Sequence, residues 1–216
     1  GVEKCDHLSD LQIGKFLIAR NYVIAKAQSM LEGYLKWYTE PIKGMGDDTP
    51  ASIRNAPQSP EQLLMWKTHF PCVYTGHDRG ACPIYWEKTG WISANFGTGK
   101  KHTSEDLLVW HHILKAEFVV HEVMLHSSEF YKREVSQMVA VSDLQGINYV
   151  PDAMALAYFI RAAYIDQTYY PEVLKTFFVI NAPWFFTSLW ALVSPFLDAK
   201  TASKFVILGS HYMERL

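Results

Sequence analysis

The histidines invite a metal first. "HEVMLH" sets His121 and His126 five residues apart, and His111 and His112 are adjacent. A zinc-protease pair needs a spacing of four so that both imidazoles share a helix face, whereas five residues turn about 140° around the axis. Adjacent histidines diverge as well, so the pattern reads as polar and packed side chains on a helix. "GTGKKH", Gly97 to His102, hints at a phosphate cradle. Its leading glycine would have to replace Ala94, and Lys101 stands where a Ser or Thr must hold magnesium. No glycine fingerprint for a dinucleotide occurs, and no Gly-x-Ser-x-Gly elbow. Cys72 and Cys82 lack a local activating pattern, and with Cys5 they make an odd, sparse set that fits a reducing compartment. These residues predict a non-enzyme without a metal or a cofactor.

The remaining chemistry is hydrophobic. "FFVINAPWFFTSLWALVSPFL", Phe177 to Leu197, carries no charge. A membrane helix needs about 20 unbroken apolar residues, and Asn181, Pro183, Ser194 and Pro195 interrupt this one. The stretch therefore fills a core or walls a cavity. Net charge is -2 at pH 7, so no overall attraction to nucleic acid or to an anionic bilayer is expected. A cytoplasmic protein is expected from the cysteines and from a start without a charged, apolar and small leader.

The elements that must position such a cavity can be read from period and punctuation. Ser9-Asp10 caps a short helix through Ala19, and Ile24, Ala27, Leu31, Tyr34, Leu35 and Tyr38 recur on one face of a second. Residues 1–40 form a helical unit on this reading. The Pro-, Gly- and Asp-rich stretch 41–60 reads as a linker, and 61–216 as the main domain. "CVYTG" and "ACPIYWE" flank "HDRG" as two strands and a turn. A long helix runs from about Glu105 to His126, with Thr103 and Asp106 as its cap. "SQMVAVSD" is a strand, and Pro151 opens a helix through Tyr164 that is apolar nearly all round. "KTFFVI" is a covered strand, a helix follows from Pro183, and "KFVIL" is the last strand. Alternating strands and helices imply an α/β fold with right-handed parallel crossovers.

"HFPCVYTGHDRGACPIYWEKTG", "SDLQG", "YYPEVLKTFFVINAP" and "PFLDAKTASKFVILGS", in that order, resemble the CRAL-TRIO lipid-binding family. Within it the nearest resemblance is to the fungal secretory type of phosphatidylinositol transfer protein, and "FLIARNYVIAKAQSMLEGYLKWY" resembles its helical N-terminal unit. The resemblance implies a mixed sheet whose apolar face floors a pocket for one bound phospholipid, closed by a helical gate. Phe177 and Val179 would belong to the floor. Trp184, Phe185, Phe186, Leu189, Trp190, Val193 and Phe196 would supply gate and wall. It also implies an inositol-phospholipid headgroup site at Arg20, Glu172, Thr201 and Lys204. There Lys204 and Thr201 would meet the phosphodiester, and Glu172 and Arg20 would pair, fix the lysine, or meet inositol hydroxyls.

Where two-lipid members carry Ser and Thr for phosphocholine, this chain has Met138 and Ala140, although Tyr74 and Tyr85 match the choline-contacting tyrosines. Phosphatidylinositol binding is thus expected to be kept and phosphatidylcholine binding weakened or lost. The family usually has more chain before Asp10 and after Leu208, so a trimmed or partial chain is one reading of the ends. Expected partners are phospholipid, a transient peripheral contact with a membrane, and a phosphatidylinositol kinase. Two competing readings are a carrier of a neutral sterol, tocopherol or retinoid-like ligand, and a non-transferring regulatory module.

Overall fold

Local capping chemistry starts most of the N-terminal helices. The computed structural model describes residues 8–215, so Cys5 lies outside the described residues. Helix α1 (Asp10–Ala19) opens on a capping box between Ser9 and Gln12. Helix α2 (Ile24–Thr39) has no side-chain cap. Burial holds it instead: Ala27, Met30, Tyr34 and Tyr38 turn inward, and Tyr34 meets Phe16 of α1 at a ring separation of 5.6 Å. Ile24, expected on that inward face, is 73% exposed.

The stretch 41–60, expected to be a linker, holds helix α3 (Pro50–Arg54), started by a capping box between Thr49 and Ser52. Its Ile53 is fully buried against Val109 and Ile113. The Thr, Pro and Ser that suggested a loose connection are a helix start, with proline at a position whose N–H has no helical partner anyway. Helix α4 (Pro60–His69) starts in the same way, from Ser59 and Gln62.

Strands β1 (Cys72–His77) and β2 (Pro83–Glu87) form the expected antiparallel pair. Helix α5 (Thr89–Gly99) follows. Its Gly90 is required by close approach, because a Cβ there would lie 2.2 Å from the carbonyl oxygen of Gln145. Helix α6 (Glu105–Phe118) is capped by Ser104 rather than Thr103. It continues through one π-helical turn, Val119–Val123, into α7 (Met124–Tyr131), which ends at Lys132 in the left-handed conformation (φ 50).

Strand β3 (Met138–Asp143) leads to α8 (Ala153–Tyr169), capped by Asp152 and longer than its expected end at Tyr164. Strand β4 (Leu174–Ile180), helix α9 (Phe186–Val193), a 3-10 turn at Ser194–Phe196, helix α10 (Ala199–Ala202) and strand β5 (Phe205–Ile207) complete the order. Trp37 of α2 stacks on Tyr169 of α8 with centroids 4.0 Å apart, which seats the N-terminal helices on the rest.

The five strands lie in chain order, β1-β2-β3-β4-β5, and every neighbouring pair after the first is parallel. This is the expected mixed sheet with helical crossovers. Register sorts its side chains into two faces. One face carries Trp86, Val141, Phe178, Ile180 and Val206, which close into a buried cluster with Leu208 and Tyr212. The opposite face carries a transverse row, Tyr74–Tyr85–Ala140–Phe177–Phe205, each residue paired in register with the next. The other buried hydrophobic clusters lie among helices α1 to α8 and do not include this row.

Candidate functional site

The transverse row is aromatic yet incompletely sealed. Tyr74, Tyr85, Phe177 and Phe205 are all half-buried, and only the small Ala140 between them is buried. Phe177 stacks on Phe205 with centroids 4.6 Å apart, and Trp190 of α9 leans on Phe205 at 4.9 Å. Helix α9 thus lies over the β5 end of this face. Phe186, Leu189, Trp190 and Val193, spaced as one helical face, are half-buried, and α9 has no fully buried residue. An apolar helix in that state rests on its neighbours without interlocking with them.

Each expected floor and gate residue can be located. Met138 and Ala140 share the floor face in β3, and Val179 continues it in β4 beyond Phe177. Trp184 does not turn towards this face: it is 89% exposed and meets Phe185 edge-on at 5.5 Å. Phe185 meets Tyr149 at 5.1 Å, and Phe196 on the adjoining turn is exposed. Two surface clefts border this region. One, of about 400 Å³, opens beside Tyr74, His77, Phe118 and Ser127, and the other, of about 480 Å³, lies between Leu144 and Phe185.

A cationic cluster gathers at the strand-start end of the floor. Glu172 stands just before β4 and Lys204 just before β5, and the Phe177 N–H donates to the Lys204 carbonyl at 2.9 Å. Glu172 accepts Lys200 at 2.6 Å and lies 3.6 Å from Lys204. Lys15 of α1 reaches the same end, donating to the carbonyl of Ser136, two residues before β3. Burial pulls the Lys15 ammonium down to about 8; Glu172 and Glu134 oppose that fall, and Lys204 adds to it.

The Thr201 hydroxyl donates to Asp198 at 2.9 Å, and that carboxylate also caps α10. A hydroxyl rotates about its C–O bond, so the same proton can serve another acceptor in place of Asp198. Three of the four expected headgroup residues, Glu172, Thr201 and Lys204, therefore come together. Arg20 does not join an ion pair among the described residues, and its guanidinium donates to the Ala19 carbonyl at 3.2 Å. Lys200 takes the place at Glu172 that Arg20 was expected to hold.

A second polar group sits further along the same face. Lys115 of α6 donates to the Tyr85 hydroxyl at 3.0 Å, and that hydroxyl donates to Glu87 at 2.6 Å. Thr89 donates to the other Glu87 oxygen at 3.0 Å and lies 2.6 Å from the Ser142 hydroxyl. Desolvation is the main reason that the Tyr74 and Tyr85 phenols are pushed up, and Tyr158 of α8 is raised to about 12 for the same cause. These phenols are desolvated by their neighbours yet keep some accessible surface. Sequence reasoning missed Lys15, Lys115 and Glu87. The signal for both lysines was a lone cation inside an apolar helical run, "IGKFLIA" and "HILKAEF".

Three of the four histidines on the helical stretch from α6 to α7 have partners. His111 stacks on Trp66 at 3.8 Å, and burial drives its pKa down to about 2. His112 meets Asp166 at 2.8 Å and His121 meets Glu117 at 3.3 Å. Among the described residues no group of three His, Cys, Asp or Glu side chains is placed to hold a metal ion, and no helix is long and apolar enough to cross a membrane.

An α/β sheet with one open aromatic face, a loosely seated helix over it and a cationic end is the architecture of a lipid-binding domain. A family model described as the CRAL/TRIO domain matches residues 67–216, and the chain belongs to that family. The SEC14 cytosolic factor of Candida glabrata is 33% identical over 211 residues, covering 98% of this chain and 67% of the relative. The factor of the same name in Eremothecium gossypii is 32% identical over 209 residues, covering 97% of this chain and 65% of that one. The Arabidopsis thaliana phosphatidylinositol/phosphatidylcholine transfer protein SFH7 is 31% identical over 205 residues, or 94% of this chain and 35% of that protein. This chain therefore spans about two thirds of the fungal relatives and about a third of the plant one. The crystal structure of Sfh5 superposes with a TM-score of 0.69 at 19% identity, over 98% of this chain and 70% of that one, a likeness of fold.

Proposed function

We propose that this chain binds one phospholipid, with phosphatidylinositol as the preferred cargo, and transfers or presents it between membranes. The observation that carries the reading is an adjacency. The unsealed aromatic row through Phe177 begins where Glu172, Lys200, Lys204, Lys15 and Thr201 converge. Acyl chains would lie along the row, and the phosphodiester would meet lysine ammonium groups and the Thr201 hydroxyl, which would turn from Asp198 to donate to it. The family is one of lipid-transfer proteins rather than enzymes, and the relatives named for phosphatidylinositol and phosphatidylcholine transfer support the same class of cargo.

Energetics divide the labour. Two acyl chains hold on the order of 30 methylenes, worth roughly 0.8 kcal/mol each against water. A bilayer offers nearly the same gain, so exchange is close to neutral and the headgroup must make the choice. A neutral isoprenoid would have no use for converging lysines. Choline lipid is carried weakly or not at all, since Met138 and Ala140 offer no hydroxyl to a buried phosphate. Release requires α9 to move at a membrane surface, and the exposed Tyr149, Val150, Trp184, Leu192 and Phe196 supply apolar contact there. The protein would work in the cytosol with transient peripheral attachment, and a phosphatidylinositol kinase is the partner that would use a presented inositol.

The test is transfer of labelled phosphatidylinositol between donor and acceptor vesicles. The reading expects protein-dependent transfer. Transfer of tocopherol, retinoid or sterol but not of inositol lipid would replace it with a neutral-ligand carrier.

A further inference from the structure

We infer that Lys115 holds a built-in positive charge at the edge of an aromatic cation site and that, through this charge, the chain rejects lipids with a quaternary ammonium headgroup. The site is built by register. Tyr74 and Tyr85 face each other across β1 and β2 with ring centroids 5.3 Å apart, and Glu87 follows two residues along the same face. Two phenol faces beside a largely buried carboxylate make a receptor for an organic cation. The chain brings its own cation to the rim of this site from α6. The Lys115 ammonium donates to the Tyr85 hydroxyl at 3.0 Å, at the hydroxyl edge of that ring and 5.2 Å from its centroid, and lies 3.9 Å from Glu87, with its side chain 19% exposed.

An incoming trimethylammonium has two options. It can displace Lys115, which leaves a buried ammonium without its carboxylate, or it can sit beside that ammonium as a like charge. Both are costly in a desolvated chamber. An inositol lipid carries no cation and is spared either cost. The inference rests on the proposed cargo chamber and deepens it: it assigns headgroup discrimination to a residue of α6, separate from the strand-start cluster around Glu172. It also implies that restoring hydroxyls at Met138 and Ala140 cannot by itself admit choline lipid.

The test compares wild type, Lys115→Met, Lys115→Arg, the Met138→Ser/Ala140→Thr pair, and that pair with Lys115→Met. Each is incubated with vesicles holding equal phosphatidylcholine and phosphatidylinositol, and the recovered protein is extracted for mass spectrometry. The readout is the choline-to-inositol ratio in the bound lipid. Removing the ammonium should raise that ratio at least about tenfold in the hydroxyl-bearing background, the loss of one desolvated cation contact being worth that much. Lys115→Arg, which keeps the charge, should leave it low. An unchanged ratio on removing Lys115 from that background, or high choline lipid in the hydroxyl pair alone, would overturn the inference. A wild type that recovers no inositol lipid would instead sink the proposed cargo. In that case the amount of choline lipid bound with and without Lys115 still reads the role of this residue.

Discussion

The Lys200 ammonium lies 2.6 Å from one oxygen of Glu172, while Lys204 sits 3.6 Å from the other. One carboxylate thus holds two cations, and either can leave for a phosphate without stranding it. Replacing Lys204 with Ala should therefore cost little stability, within about 1 kcal/mol. Thr201→Ala loses one bond to Asp198 and should cost about 1 kcal/mol. Both should reduce phosphatidylinositol transfer by at least about tenfold, the worth of one charge-assisted contact. Vesicle transfer rates measured beside urea unfolding check this, and wild-type transfer by both variants would reject the headgroup assignment.

Lys15 sets a pH dependence. Its folded-state pKa is depressed to about 8 from an ordinary 10.5. The unfolded chain holds that proton to higher pH, so this group destabilises the empty fold below about pH 8 and the penalty is relieved as pH rises towards 10.5. Binding of an anionic headgroup runs the other way, because it needs the charged ammonium. Inositol-lipid affinity should fall as pH rises through 8, and Lys15→Met should flatten that part of the profile. Titrating vesicle transfer from pH 6.5 to 9.5 on both proteins reads it.

Glu172 adopts a left-handed backbone, φ 57, directly after the Tyr170-Pro171 pair that follows α8. A β-carbon is disfavoured there by roughly 1 kcal/mol. Glu172→Gly should therefore be more stable than Glu172→Ala by about that amount, although both lose the lysine partner. Equal unfolding midpoints for the two would show that the strain is absent.

Trp184 is 89% exposed and touches little beyond Phe185, so Trp184→Ala should leave stability within about 0.5 kcal/mol. Insertion of its indole into a membrane interface would be lost. Vesicle co-sedimentation should fall by about tenfold for the Trp184→Ala/Leu192→Ala pair, given the burial value of two such side chains. Undiminished sedimentation would place the membrane contact elsewhere.

The parallel sense of β2 to β5 was legible because each strand is a short apolar run separated from the next by a helical stretch, and such crossovers join parallel strands. That Glu172, Thr201 and Lys204 lie near one another was legible through their motifs, while their role belongs to the proposal. Ile53 was not: it stands alone among Pro, Asn, Ser and Thr, and its burial depends on Val109 and Ile113, more than 50 residues away. Lys15 and Lys115 were hidden for a related reason. A lone lysine in an apolar helix has the same sequence signature whether its stem lies along the surface or its ammonium enters a chamber. Only the position of Ser136 beside α1, and of Tyr85 beside α6, distinguishes the two. Arg20 shows the reverse case, a matching residue type whose local turn directs it to the Ala19 carbonyl.

The central claim is tested most directly by weighing what the folded protein holds. Native mass spectrometry of the chain after exposure to mixed phospholipid vesicles, followed by extraction of the bound molecule, reads both stoichiometry and identity. The account predicts one inositol phospholipid per chain. Recovery of a chain that remains empty under those conditions, or one loaded with a neutral isoprenoid from a cell extract, would contradict it.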